Sequence, residues 1–291
     1  MRSLTLKSPA KINLALKILR RRSDGYHDLV TLFHRISLAD TLRLQRIKTG
    51  FRLRCSNPDL PVDETNLVTK AYRLLQREIP DLGGVAVSLK KQIPMGAGLG
   101  GGSSNAAFFL LGMKRLYRLK ISGKRLLRLG GKLGADVPFF IHNVNQAIGI
   151  ERGDRLKKKP AKARHIFLLA ASTQGLSTKE VYENLRGRLR PVSLTKVSLA
   201  ITMLCAFLEK KKYGRMEGLL ENDLEAAAFD LRPSLRKVLE GFRKHGIRLV
   251  RMTGSGPTVF AILPHLREAK RIQKLLKQDL PSYKILLCRS Y

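Results

Sequence analysis

Fourteen consecutive residues carry the clearest chemical signal in the sequence: Pro94-Met95-Gly96-Ala97-Gly98-Leu99-Gly100-Gly101-Gly102-Ser103-Ser104-Asn105-Ala106-Ala107. Five glycines fall within seven residues, followed by hydroxyls and then by Phe109, Leu110 and Met113 at helical spacing. Glycine admits positive φ and lets a ligand approach main-chain N–H groups closely. A helix N-terminus adds unpaired N–H groups and a dipole that favours anions. The loop therefore reads as a phosphate cradle, with Ser103, Ser104 or Asn105 capping the helix that follows. Gly96-x-Gly98-x-x-Gly101 has dinucleotide spacing, but it lies about ninety residues into the chain and the stretch from Arg115 to Arg128 offers no carboxylate for a ribose. No Gly-Lys-Ser/Thr closes the loop, which excludes a Walker A motif.

Other residues could serve chemistry beside that loop. Asp136, in Gly134-Ala135-Asp136-Val137-Pro138, stands in apolar company before Phe139 and Phe140. A carboxylate there is costly unless bonded or paired with a cation; a plain turn aspartate is the alternative. Lys11 and Asn13 share the polar face of an alternating segment after Pro9-Ala10, where an exposed strand face is the other reading. A second glycine turn lies at Thr253-Gly254-Ser255-Gly256-Pro257-Thr258. Cys55, Cys205 and Cys288 are odd in number and widely spaced, which suggests reduced thiols rather than metal ligands or nucleophiles.

These residues need elements to hold them. Alternation predicts strands at Leu4–Ile18, Leu29–Leu38, Thr41–Arg46 and Phe51–Cys55, the last two as a pair, and Val85–Leu89 leads into the loop. Helices are expected over Asn66–Ile79, from the loop onward and at Gly123–Leu133, then a strand at Ala147–Glu151. The basic, Pro-containing stretch Lys157–Arg164 marks a domain boundary, giving domains 1–160 and 161–291. Beyond it come a buried strand at Ile166–Ala170, helices at Lys179–Leu185, Leu194–Lys210, Leu219–Ala228, Pro233–His245 and His265–Lys277, and strands at Ile247–Met252, Val259–Leu263 and Tyr283–Cys288. The order is that of an α+β protein, not an alternating βα array.

Composition narrows the class further. The 291 residues suffice for one large domain or two ordinary ones, and an apolar fraction of 44% is that of a globular chain. No run is long enough to cross a bilayer and no leader pattern precedes the first strand, so a cytoplasmic protein with no membrane partner is expected. Fifty-six Lys+Arg against twenty-two Asp+Glu gives a net charge of +34, a field that attracts polyanions. The cations are spread along the whole chain and aromatics are only 6%, a pattern that argues against a dedicated nucleic-acid binder.

Three segments together, Pro9-Ala10-Lys11-Ile12-Asn13-Leu14, Pro94 to Ala107 and Thr253 to Pro257, resemble the small-molecule kinases that include galactokinase, homoserine kinase and mevalonate kinase. Asp24-Gly25-Tyr26-His27, the Asp136 segment through Phe140, and Asn222-Asp223-Leu224-Glu225 narrow the resemblance to the 4-diphosphocytidyl-2-C-methyl-D-erythritol kinases of the non-mevalonate isoprenoid pathway. It spans nearly the full chain. It implies a two-domain α+β fold with an N-terminal ribosomal-protein-like domain, a C-terminal ferredoxin-like domain and the active site in the cleft. The implied reaction is phosphorylation of the substrate's 2-hydroxyl by ATP; homoserine or mevalonate as acceptor is the rival reading.

By the same resemblance, Asp136 is the base and Lys11 the cation near the reacting hydroxyl, and Pro94 to Ser104 hold the ATP phosphates. Asn66 and Lys91 match adenine-side positions. Tyr26 and Tyr182 match the rings that sandwich the cytosine, and His27 the group that reads its edge. Asn13 and Thr178 match polar substrate contacts, and Gly254 and Ser255 belong to the turn that closes on the substrate. Magnesium is expected with ATP, with Ser103 or Ser104 as candidate ligands. Two positions depart from the family pattern: Gln174-Gly175 replaces the common Pro-Gly, and Thr253 replaces the more usual Ser.

Overall fold

The computed structural model describes residues 2–172, 174–185 and 192–291. It opens on two long strands, β1 (Ser3–Arg21) and β2 (His27–Ile47), paired and joined by a turn in which Gly25 takes φ +83°. The sequence suggested two strands where β2 is one. Residues 29–36 are buried without interruption, so the period-two signal is lost through the middle of the strand.

Both strands run through two compact units that interleave along the chain. One comprises Met1–Ala10, Leu38–Ile93 and Gly100–Val144; the other comprises Lys11–Ser37, Pro94–Leu99 and Asn145–Tyr291.

In the first unit, β3 (Phe51–Cys55), helix α1 (Leu67–Glu78) and strand β4 (Gly84–Lys90) follow β2. Thr41–Arg46 does not pair with Phe51–Cys55, as alternation suggested. Instead β4 lies between them, antiparallel to β2 and parallel to β3. Strand β4 supplies the apolar residues of a central strand (Val85, Val87, Leu89), whereas β3 carries Arg52 and Arg54 and is an edge. Helices α2 (Gly101–Tyr117), α3 (Gly123–Leu133) and the short α4 (Val137–Ile141) complete the unit. Phe109, Leu110 and Met113 of α2 are fully buried, each worth about 2–3 kcal/mol of burial. Asn66, read as the first residue of this helix, is its cap and accepts from the Val68 N–H.

In the second unit, the N-terminal half of β2 pairs antiparallel with β5 (Gln146–Glu151), which pairs with β6 (Arg155–Lys159). The basic stretch read as a domain boundary thus begins as strand. The chain continues through β7 (Ile166–Ser172), α5 (Thr178–Glu183), α6 (Leu194–Glu209), α7 (Glu225–Leu231), α8 (Ser234–Lys244), β8 (Val250–Met252), β9 (Val259–Leu263), α9 (Leu266–Asp279) and β10 (Tyr283–Arg289). Strands β10-β7-β9-β8 form an antiparallel sheet. Val238, Phe242, Ile272 and Leu276 of α8 and α9 are buried in one apolar cluster with Leu168, Ala170, Val259 and Ala261 of that sheet. Helix α7 starts later than Leu219, because Asn222 folds into a turn that takes the Leu224 N–H on its side chain and the Glu225 N–H on its carbonyl.

Candidate active site

The glycine loop has the backbone its composition implied. Gly96, Gly98 and Gly100 take φ of +60°, +71° and +69°. Helix α2 begins at Gly101 with left-handed Gly100 as its cap and no side-chain capping bond. Ser103, Ser104 and Asn105 are therefore not caps but the first turn of the helix. The first intrahelical bond runs from the Ser104 N–H to the Gly100 carbonyl (2.8 Å). The N–H groups of residues 101–103 precede any helical partner, and Gly102 is exposed. A helix start with no side-chain cap, entered from left-handed glycines, suits an anion.

In the first unit a buried polar network fixes this helix start. Asp40 of β2 is fully buried; its Oδ1 accepts from the N–H groups of Gln92 (2.7 Å) and Ile93 (2.9 Å). Its Oδ2 pairs with the Lys91 ammonium and accepts from Asn105 Nδ2 (3.0 Å). Asn105 also donates to the Ser8 hydroxyl (3.0 Å), which donates to Ser104 Oγ (2.7 Å). Lys91 lies against α2, since a side chain at Gly101 would meet its Nζ at 3.3 Å. Sequence reasoning missed Asp40 and Ser8. The available signal was a single carboxylate in an apolar strand, the same signal that singled out Asp136. Asp136 itself sits half-buried at the head of α4, just past the Gly134 that ends α3. A side-chain carbon at Gly134 would lie 4.0 Å from Ser103 Oγ, which brings the Asp136 segment to the first turn of α2.

The second unit holds the remaining predicted residues. Lys11 is buried, with Nζ donating to Asn13 Oδ1 (2.7 Å) and lying 5.4 Å from the Phe33 ring centroid. The polar-face reading of Lys11 and Asn13 is thus refined: the pair faces inward. Asn13 donates from Nδ2 to Thr31 Oγ1 (2.7 Å) and from its N–H to Thr253 Oγ1 (2.8 Å). A hydroxyl is what that position requires, so Thr253 serves as Ser would. The Lys11 N–H donates to the Leu99 carbonyl (3.0 Å), tying β1 to the segment Pro94–Leu99, in which Ala97 and Leu99 are buried and Pro94, Met95 and Gly98 partly so. Any side chain at Gly98 would meet the Thr253 carbonyl oxygen at 2.6 Å, and one at Gly96 would meet Gly175 Cα at 3.1 Å. A Cβ at Gly254 would stand 3.6 Å from Lys11 Nζ.

The same unit places Thr178 and Ser255 together, their hydroxyls 2.8 Å apart. The His27 ring lies beside that of Tyr182, with centroids 5.1 Å apart and planes 34° from parallel. Tyr26 is 57% exposed, with the Arg152 guanidinium 5.3 Å from its ring centroid. Burial, and then the charge of Arg21, lower the His27 pKa and favour the neutral ring.

Asn222, Asp223 and Glu225 act as scaffold. Asn222 Nδ2 donates to the carbonyls of Met252 (2.9 Å) and Gly254 (2.8 Å), holding the second glycine turn. Asp223 accepts from Lys17 Nζ (2.6 Å) and the Ile18 N–H (2.8 Å), and Glu225 accepts from the Met252 N–H (2.7 Å). Arg232, another residue the sequence did not mark, donates to the carbonyls of Gln174 (2.8 Å) and Gly175 (2.7 Å) and fixes the approach to Thr178. Among the described residues no cluster of three or more His, Cys, Asp or Glu could hold a metal, and no helix is long and apolar enough to cross a membrane.

The chain resembles known proteins over most of its length. Residues 66–143 match the sequence model of the GHMP kinases N terminal domain, and residues 206–281 that of the GHMP kinases C terminal domain. The chain is 39% identical over 277 residues to a 4-diphosphocytidyl-2-C-methyl-D-erythritol kinase of Syntrophus aciditrophicus (strain SB), covering 94% of each. A crystal structure of a 4-(cytidine 5'-diphospho)-2C-methyl-D-erythritol kinase superposes with a TM-score of 0.81 at 32% identity, over 99% of this chain and all of the other. A homoserine kinase from Cytophaga hutchinsonii superposes at 0.73 with 18% identity, covering 100% of this chain and 95% of its own, which is a likeness of fold.

Proposed function

The chain belongs to the GHMP kinases and, within them, to the 4-diphosphocytidyl-2-C-methyl-D-erythritol kinases, and from that premise we infer that it transfers the γ-phosphate of ATP to the 2-hydroxyl of 4-diphosphocytidyl-2-C-methyl-D-erythritol. The observation that carries the reading is the uncapped start of α2, entered through three left-handed glycines. Phosphoryl transfer asks for positioning and charge stabilisation more than covalent chemistry. Main-chain N–H groups at residues 101–103 supply fixed donors for phosphate oxygens, and the Asp40 network keeps them aimed without reorganisation.

Asp136 is assigned as acceptor of the hydroxyl proton. Lys11, held by Asn13, is assigned to the negative charge that grows on the transferring oxygens. Asn66 and Lys91 are assigned to the adenine side. His27 and Tyr182, neighbours in the structure, with Tyr26 nearby in sequence, are assigned to the cytosine, and a neutral His27 can both donate and accept at a base edge. The hydroxyls of Thr178 and Ser255, with Asn13 and Gly254, are assigned to the polar part of the acceptor.

A magnesium ion would shield the phosphate charges while keeping most of its waters, so it requires no dense cluster of protein ligands. Ser103, partly exposed beside Gly134, is the better candidate ligand, because Ser104 is buried and bonded to Ser8. A cytoplasmic enzyme acting on a small molecule is the matching cellular reading. The test is ADP release with 4-diphosphocytidyl-2-C-methyl-D-erythritol beside homoserine and mevalonate. Only the cytidyl substrate should support turnover, and CDP should compete with it. Turnover of homoserine or mevalonate at a comparable rate would overturn the assignment.

A further inference from the structure

The kinase reaction leaves the charge of +34 unexplained. Spread along the sequence, the cations suggested no binding face; the first unit gathers five of them on one. In its sheet the outward residues fall into cross-strand rows. Thr41 of β2 stands opposite Lys90 of β4, and Lys7 of β1 reaches Thr41 with its ammonium (3.0 Å). In the next row Ser88 of β4 lies between Arg43 of β2 and Arg54 of β3; in the third, Ala86 lies between Gln45 and Arg52. Lys7, Arg43, Arg52, Arg54 and Lys90 are all exposed.

Strand spacing places Arg43 and Arg54 about 10 Å apart at their backbones, and successive rows about 7 Å apart. The result is a flat lattice of long cationic side chains separated by small uncharged ones. Within this unit the four strands contain one acid, Asp40, which is buried on the opposite face. A solvated sheet face ordinarily mixes both signs.

We propose that this face docks double-stranded nucleic acid through its phosphate backbone, without reading sequence. The outward positions of these strands hold no aromatic ring, which removes the stacking platform that single strands use. They also lack the large apolar side chains that a lipid surface would take up among the cations. Repeated phosphates are the complement that remains, and contacts to them position a duplex without specifying bases.

The test measures fluorescence anisotropy of labelled RNA and DNA duplexes of arbitrary sequence with the full-length protein, across a range of KCl. Five phosphate contacts predict a slope of log K against log[KCl] of about −4 to −5. The triple variant Arg43→Gln/Arg52→Gln/Arg54→Gln should lower that slope by about 3 and weaken binding at least tenfold, with kinase turnover unchanged. A control, Lys270→Gln/Arg271→Gln/Lys274→Gln on the solvent face of α9, removes the same formal charge and should change affinity less than twofold. Binding of either duplex in this pattern supports the proposal, and the tighter arm identifies the source. Equal losses in the two variants would reduce the effect to net charge and overturn it. So would tighter binding to phosphatidylserine vesicles than to either duplex, or no duplex binding at low salt.

Discussion

Replacing Asp40 by Asn tests whether the buried network, rather than the glycines alone, holds the phosphate loop. The substitution keeps the shape and one oxygen, so the Gln92 and Ile93 N–H groups retain an acceptor. The other oxygen becomes an NH2 that faces the Lys91 ammonium and Asn105 Nδ2, replacing an ion pair and a hydrogen bond with two donor–donor contacts. The two side chains are 0% and 7% exposed, so water does not compensate. Breaking a buried pair on one side costs about 3–5 kcal/mol. At about 2–4 °C per kcal/mol for a chain of this size, the apparent Tm should fall by about 10 °C. The stranded ammonium also lies against the α2 start, where the helix dipole opposes it, so the KM for ATP should rise while that for the acceptor holds. Asp40→Asn/Lys91→Met removes both charges and should recover most of the lost Tm. The assays are circular-dichroism melts and ATP titrations at saturating acceptor. A single variant melting within 2 °C of the wild type, or a double variant no better than the single, refutes the reasoning.

Asp136→Asn should lower kcat by about 10²–10⁴ with the melting curve unmoved; turnover near normal would remove Asp136 as the base. Gly98→Ala forces a side chain into left-handed backbone (φ +71°) and onto the Thr253 carbonyl oxygen, and should raise the KM for ATP at least tenfold, as read by initial rates. An unchanged KM would separate this loop from ATP. Burial pushes the pKa of His34 down to about 3 and that of His165 to about 4, from an ordinary value near 6.5. With the folded pKa values depressed, the stability these rings contribute is complete above pH 6.5 and drains away as pH falls toward 4 and then 3. Each should remove about 1.4 kcal/mol per pH unit over that range. Urea midpoints at pH 7 and pH 5 check this, and His34→Gln should about halve the loss between them; an unaltered loss would show that the imidazole plays no part.

The sequence revealed elements whose signals are local. Asn66 before an apolar-periodic run marked the start of α1, and the loop glycines announced their own backbone. It failed where the cause lay far along the chain. Adjacent strands ordinarily form hairpins, but β4, arriving some thirty residues later with the more apolar face, took the central place and left the arginine-bearing β3 at the edge. The capping expectation failed for a related reason. Ser104 and Asn105 are hydroxyl and amide partners of Ser8 and Asp40, remote in sequence, so they lie inside the helix. Lys11, Asn13 and Asp136 stood out by residue type, whereas Asp40, Ser8 and Arg232 acquire their roles only through tertiary partners.

The interleaving of the two units bears on how this chain can be dissected. The backbone passes between them at five points, after Ala10, Ser37, Ile93, Leu99 and Val144. No single cut separates the units cleanly: a cut after Val144 leaves the first unit whole but carries Lys11–Ser37 and Pro94–Leu99 of the second with it. A protease nick in an exposed connection should therefore leave two pieces that stay associated; an N-terminal deletion that passes Ala10 removes part of both structural bodies, whereas a C-terminal one takes only the second until it reaches Val144.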